Sequence, residues 1–440
     1  MVMENSKSKM GLWQAVSMAV GTMIGASIFS VFGVGAQIAK QNLPEAFLLS
    51  GVYAFIVAYS YAKLGKKITS NAGPIAFILK GMGDNIITGT LSVLMWLTYV
   101  ISIALFARGF SGYFVPLVGL PDTELTSSLL AVAVVAFFTV LNFFGSKTVG
   151  KAEFFIVIIK VGILILFITF GLLAVKPQQI APSFEPGSLN GLLHASVIFF
   201  LSYMGFGLIT NASENIKDSE KNVPRAIYIS ILIAMIIYIG VAVTAIGNLS
   251  IPHLIEVKEN ALAVAARPFF GNFGFMLISI GALFSISSAL NATIYGGANI
   301  SYTLARDGEL PTFFDRKIWF GSVEGLYITA GLSVGFAVLF NMNGIASITS
   351  TIFTIIYIFV LISHYKMAGE VGGKKWLLLI NTFILFLIFG GLLYYQWQSD
   401  KTVLIATAAV IAGALILEFL YRKFLRKSFS VENKKVSIKQ

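Results

Sequence analysis

A chain of 440 residues that is 57% hydrophobic and only 12% charged, with a mean hydropathy of +0.85, has more apolar surface than a water-soluble core can bury. These proportions exclude a soluble or secreted globular domain and require a polytopic helical membrane protein. The chain has no cysteine, which removes disulfides and thiolate metal sites. Its three histidines (His194, His253 and His364) are scattered, so no metal site is expected. A net charge of +11 must be interpreted from where the basic residues fall.

The polar opening MVMENSKSKM is followed by no small-residue cleavage site, so the first apolar segment is expected to stay in the mature protein. Polar, Gly and Pro punctuation divides the rest into about twelve apolar spans: 12–38, 43–63, 86–116, 125–143, 153–175, 189–212, 225–247, 272–304, 326–341, 345–364, 376–396 and 402–421. With the N-terminus inside, the cytoplasmic loops and tails carry 24 of the 31 basic residues and the opposite side carries five. Arg108 and Lys160 remain within spans. This asymmetry places both termini in the cytoplasm of a cell membrane and explains the basic charge without nucleic acid.

The first span contains GTMIGASIF, Gly21 to Phe29. Each glycine costs about 1 kcal/mol relative to alanine inside a helix, so the helix is expected to be interrupted here. Backbone groups freed by a break cannot be satisfied by lipid, and such a break persists where something polar occupies it. In the third span, Arg108 lies near the outer end, where it can snorkel or find a structural partner. In the fifth, Glu153 beside Lys151 at the inner end is expected to form an interfacial ion pair, with a proton carrier as the alternative. Lys160 in AEFFIVIIKVGILILF sits about 9–12 Å past that edge at 1.5 Å per residue. A lysine stem reaches only roughly 6 Å, so snorkelling fails for Lys160 and a function is expected.

The sixth span opens with His194, expected to be structural, and ends at Glu214, a candidate for a cytoplasmic gate. At its middle lies LSYMGFGLIT, Leu201 to Thr210, about 180 residues after the first interruption. One such glycine run would serve close helix packing equally well. Two in corresponding positions of two halves point to an inverted repeat with a binding site at the midplane between them. An ion channel could also use broken helices, but channels usually build the pore by subunit symmetry. A membrane enzyme would need a buried cluster of nucleophile, base or metal ligands, and none is evident. No catalytic residue, metal or cofactor is expected.

Gly25-Ala26-Ser27-Ile28-Phe29 resembles the GSGIF-type signature of the amino acid, polyamine and organocation (APC) transporter superfamily. Glu214 with Asn222-Val223-Pro224-Arg225-Ala226 resembles the loop that follows its sixth helix. The similarity covers Leu12 to about Arg422 and is greatest to the superfamily's prokaryotic proton-coupled, broad-specificity amino acid transporters. It implies an all-α integral membrane fold of about twelve transmembrane helices, a LeuT-type 5+5 inverted repeat with discontinuous helices 1 and 6. The corresponding divisions are a tail at 1–11, repeats at 12–175 and 189–364, a two-helix scaffold at 376–421 and a basic tail at 422–440.

By the same resemblance, the substrate carboxylate meets the amides of Ala26, Ser27 and Ile28, and the amino group meets the carbonyls of Met23, Leu201 and Met204. Helix dipoles favour both placements. Tyr99, Tyr203 and Phe206 are candidates for the side-chain pocket. Relatives that exchange cationic amino acids tend to carry Glu where this chain has Gly207, which argues for neutral substrates, since a buried cation without a partner costs several kcal/mol. Ser27 and Ala26 stand where many members have Gly and Ser. In sodium-coupled relatives a cation lies between segments one, five and eight. The Lys160 ammonium would take that position, with the Gly21 carbonyl and the Ser285 hydroxyl as partners. A lysine held away from water can exchange its proton at working pH. The expected partners are thus an amino acid, a proton and the bilayer, with proton symport as the leading reading and exchange or polyamine transport as the alternative. No particular oligomeric state is indicated.

Overall fold

The computed structural model describes residues 9–70, 72–143, 149–257, 260–306, 310–317 and 324–424, so most of both tails lies outside the described residues. All twelve expected segments are helical. Ten stretches among the described residues are long and apolar enough to cross a membrane. One of them, Phe29–Lys67, joins the C-terminal half of the first segment to the second through a turn at Lys40–Asn42, and the ninth segment, Glu324–Leu339, is a shorter apolar helix.

The third segment, Ile86–Val118, is the axis of the bundle. Its most apolar window is 89% buried, against 22% for the twelfth, Lys401–Phe424, so the former is enclosed by protein and the latter faces lipid. Its ends follow local chemistry. The Asn85 side chain accepts from the amides of Ile87 and Thr88, and Gly119 closes the helix in the left-handed region, φ 71°. Before it, a short helix at Pro74–Met82 begins where Gly73 (φ 56°) turns the chain and Pro74 occupies the first turn, where its missing N–H costs nothing.

Contacts between connections show how the helices alternate. At one end Met10 pairs with Ile216 across a main-chain bridge, and Arg422 donates to Asp84 and to the Asn85 carbonyl. The Ser70 amide donates to the Ser213 hydroxyl there, and the Lys374 amide to the hydroxyl of Tyr59 near the end of the second segment. The chain start, the second-to-third, sixth-to-seventh and tenth-to-eleventh connections and the chain end therefore share one face. At the other end Asn42 bonds the backbone of Ser183, and the Lys176 amide donates to the Gly247 carbonyl. Arg108 lies at that same end but does not snorkel. It is 7% exposed, donates to the Ala337 carbonyl at 2.6 Å and pairs with Glu124, taking the structural-partner alternative because a buried guanidinium requires acceptors.

Both glycine-rich interruptions are present, but neither opens into a loop. In the first segment the α-helix Leu12–Met23 widens into a π-helical turn at Ile24–Ile28 and resumes at Phe29–Ala39. In the sixth, Pro186–Phe199 tightens into a 3-10 stretch at Phe200–Phe206 before Gly207–Asn211. The flanking residues all keep right-handed helical angles. Changing helix type shifts hydrogen-bond partners by one residue without abandoning them, which is the cheaper solution at mid-membrane depth. Hydroxyls complete the account in the sixth segment: Ser50 donates to the Ser196 carbonyl, Ser350 to that of Val197 and Tyr238 to that of Ser202, at 2.7–2.9 Å.

Candidate functional site

The two interruptions flank a cavity of about 180 Å³. For scale, a dry cavity of roughly 150 Å³ admits benzene, so this one has amino acid dimensions. Gly21, Thr22 and Met23 of the first segment, and Leu201, Met204, Gly205, Gly207, Leu208 and Asn211 of the sixth, form one side. Facing them are Met95, Thr98, Tyr99 and Ser102 of the third segment, Ala289, Thr293 and Gly296 of the eighth, and Phe353 and Tyr357 of the tenth. The lining continues to Pro74, towards the end of the molecule that carries Met10 and Ile216. No Asp, Glu, Lys or Arg lines it among the described residues.

Away from that end the cavity is shut. Phe29 meets Tyr113 edge-on at 6.1 Å between centroids, and Phe199 stacks on Phe47 at 3.8 Å. Gly109 lets the third segment rest directly against Ser30 of the first. Towards the other end, Asn211 donates to the Tyr99 hydroxyl at 3.4 Å, and the Gly73 turn presses against the Asn211 side chain.

Met23, Leu201 and Met204 line the cavity. Phe206 does not. It stands behind the wall, stacked on Tyr357 and edge-on to Tyr61, both of which line the cavity. Tyr99 lines it too, whereas Tyr203 is buried elsewhere and donates to the Phe47 carbonyl. Of Ala26, Ser27 and Ile28, Ile28 is not among the lining residues. Their backbone forms the π-helical turn, and the side chains of Ala26 and Ser27 lie outside the described set, as do those of Lys151 and Glu153. His194 packs between the rings of Tyr394 and Tyr395. Glu214 sits in the turn Ser213–Asn215.

Lys160, 2% exposed, donates from Nζ to the Gly21 carbonyl at 2.6 Å. Gly21 also lines the cavity, so one peptide group connects the buried ammonium to the candidate substrate space. Ser285 is brought alongside. Its hydroxyl makes no hydrogen bond among the described residues, so it stands near the ammonium without serving as the expected acceptor.

The twelve-segment bundle, the paired helix interruptions and the intervening cavity agree with what the sequence comparison shows: the amino acid permease family matches residues 10–421. The chain belongs to the amino acid permease family. The permease is 61% identical over 428 residues, covering 97% of this chain and 98% of the other, to an uncharacterized protein of Methanocaldococcus jannaschii. It is 31% identical, with the same coverage, to an inner membrane transport protein of Escherichia coli. A branched-chain amino acid permease of Bacillus subtilis is 24% identical, over 69% of this chain and 68% of its own length. The permease is therefore a multi-pass membrane transporter with an amino acid substrate, not an enzyme.

Sequence reasoning missed Thr98, Ser102, Thr293, Asn211, Tyr61 and Tyr357. Two signals were available. Ala289, Thr293 and Gly296 form a small-residue stripe at helical spacing, and Asn211 lies one turn beyond Gly207 on the same face.

Proposed function

We propose that the permease is a secondary active transporter that takes up neutral L-amino acids with a proton, independently of sodium, by alternating access between two inverted halves. In this reading it lies in the plasma membrane with both termini in the cytoplasm, the side that carries 24 of its 31 basic residues. The substrate lies in the cavity with its carboxylate towards the π-helical turn at Ala26–Ile28 and its ammonium towards the carbonyls of Met23, Leu201 and Met204. An uncharged lining that includes Met23, Met95 and Met204 favours neutral side chains of varied shape, since thioethers adapt to many partners.

The observation that carries the coupling is the Lys160–Gly21 hydrogen bond, because Gly21 belongs to both the buried charge and the cavity. A protonated Lys160 ties the first segment to the fifth in the state closed at the outer end. A neutral one loses the charge-assisted part of that bond, worth about 1.5–3 kcal/mol for a charged group. The two protonation states then prefer different conformations, as a coupled equilibrium requires. Each charge moved inward contributes about 2.3 kcal/mol per 100 mV.

The test is initial uptake in sodium-free vesicles against external pH, with wild type beside Lys160→Ala. Wild type should be stimulated by acid, while the variant should bind substrate but lose that stimulation. An unchanged pH profile with continued accumulation would reduce the lysine to a structural cation. Competition supplies the substrate test: neutral amino acids should compete, and lysine, arginine and putrescine poorly. Strong competition by putrescine, which has no carboxylate, would overturn the zwitterion assignment.

A further inference from the structure

We propose that Gly25 is a positioning residue for the Lys160 ammonium, its missing side chain keeping open the space that the charge occupies between the first and eighth segments. This inference rests on the assignment of Lys160 to proton coupling.

A Cβ built on Gly25 would lie 2.8 Å from Lys160 Nζ, 3.2 Å from the Ser285 carbonyl oxygen and 3.5 Å from its hydroxyl. Non-bonded carbon and nitrogen do not approach to 2.8 Å, so something would have to shift. The Ser285 carbonyl belongs to a buried stretch of helix, and Nζ is held at 2.6 Å on the Gly21 carbonyl, one turn before Gly25. The ammonium is the group with freedom to yield, and yielding takes it off Gly21.

The environment separates this glycine from those that serve helix packing. At Gly205 an added Cβ would meet Met23 and the Ala19 carbonyl, a close contact between two helix surfaces. At Gly25 the three nearest atoms are all polar, and the nearest carries the charge. The first and eighth segments carry no carboxylate to hold a displaced ammonium. The first segment has no charged residue, the eighth only Arg267 and Arg306 at its ends, and the seventh Glu220, Lys221 and Arg225 in its first two turns. The other titratable groups on these helices are Tyr228, Tyr238, Tyr295 and Tyr302, and Lys151 and Glu153 stand at the start of the fifth.

The experiment is a double-mutant cycle of Gly25→Ala and Lys160→Ala, read by acid-stimulated uptake, substrate affinity and thermal stability of the purified transporter. In the wild-type background Gly25→Ala should lower acid-stimulated uptake by about tenfold and shift its pH profile, with substrate affinity changed less than about twofold. In the Lys160→Ala background it should change none of the three readouts by more than about twofold or its thermal equivalent. If Gly25→Ala folds only when Lys160 is also truncated, the inference stands, because the clash is with the lysine. If it costs the same in both backgrounds, or folds in neither, Gly25 serves the backbone or the substrate and the inference falls. Should Lys160→Ala alone keep the wild-type pH profile, the coupling assignment fails, while the cycle in thermal stability still decides whether Gly25 makes room for the lysine.

Discussion

The seal at the Phe29–Tyr113 end of the cavity depends on Gly109, and Gly109→Ala should open it. A Cβ on Gly109 would overlap the Ser30 hydroxyl, lie 2.9 Å from Ser30 Cβ and 3.4 Å from Ser30 Cα. Turning the Ser30 side chain removes only the first of these contacts. The methyl group therefore pushes the first segment away from the third by a fraction of an ångström to about one ångström. Overpacking of this kind costs about 1–3 kcal/mol in the closed state. A state in which the two helices have separated bears none of that cost, so the ratio of open to closed should rise roughly 5- to 150-fold. Because the chain has no cysteine, a single Ser102→Cys in the cavity wall reports alone. Its labelling by an impermeant maleimide added on the Phe29–Tyr113 side measures the open population. Gly109→Ala should accelerate labelling within that range, and adding Ser30→Gly, which removes the 2.9 Å neighbour, should restore the slow rate. Equal labelling with and without Gly109→Ala would refute the idea that the Gly109–Ser30 contact closes this end.

Two further variants test other contacts. Arg108→Ala strips the donor from the buried Ala337 carbonyl and should destabilise the protein by about 2–4 kcal/mol in thermal or denaturant unfolding. Glu124→Gln should cost much less, since Glu124 is 75% exposed and the Ala337 bond survives. Gly73→Ala combines a left-handed φ of 56°, about 1–2 kcal/mol for an L-residue, with displacement of Asn211 from the cavity floor, and should weaken substrate-induced thermal stabilisation. Gly83→Ala, at φ 76° with open space around it, should leave that stabilisation intact and so isolates the Asn211 contribution.

Much of the fold was legible because a bilayer enforces it. Segment count follows from apolar length, and the grouping of connections follows from helices that must alternate in direction. The depth of Lys160 was legible, but its neighbours were not: Gly21 and Ser285 came from the resemblance, which puts a cation between segments one, five and eight, and the structure places both beside the ammonium. The form of the interruptions was not. Glycines and small residues show that the backbone has freedom, but GTMIGASIF and LSYMGFGLIT do not say whether the chain will unwind, widen or tighten. The hydroxyl donors that settle this in the sixth segment, Ser50, Tyr238 and Ser350, come from other helices. The aromatic wall escaped for a different reason: among 38 Phe and 16 Tyr, composition does not distinguish Tyr357, at the cavity, from Tyr203, away from it.

The pairing of Met10 with Ile216 involves no side chain. The Met10 amide donates to the Asn215 carbonyl and the Lys217 amide to the Met10 carbonyl, each at 2.8 Å. Met10, two residues before the first helix, is thus fastened to the connection just after the sixth, so the two interrupted helices are hitched together at this end and one cannot swing free without dragging the other. Because the fastening is peptide to peptide, replacing Met10 by any residue but proline leaves it tied. An alanine scan would pass over it; proline at Met10 would remove one of the two bonds, and shortening of the tail would remove both.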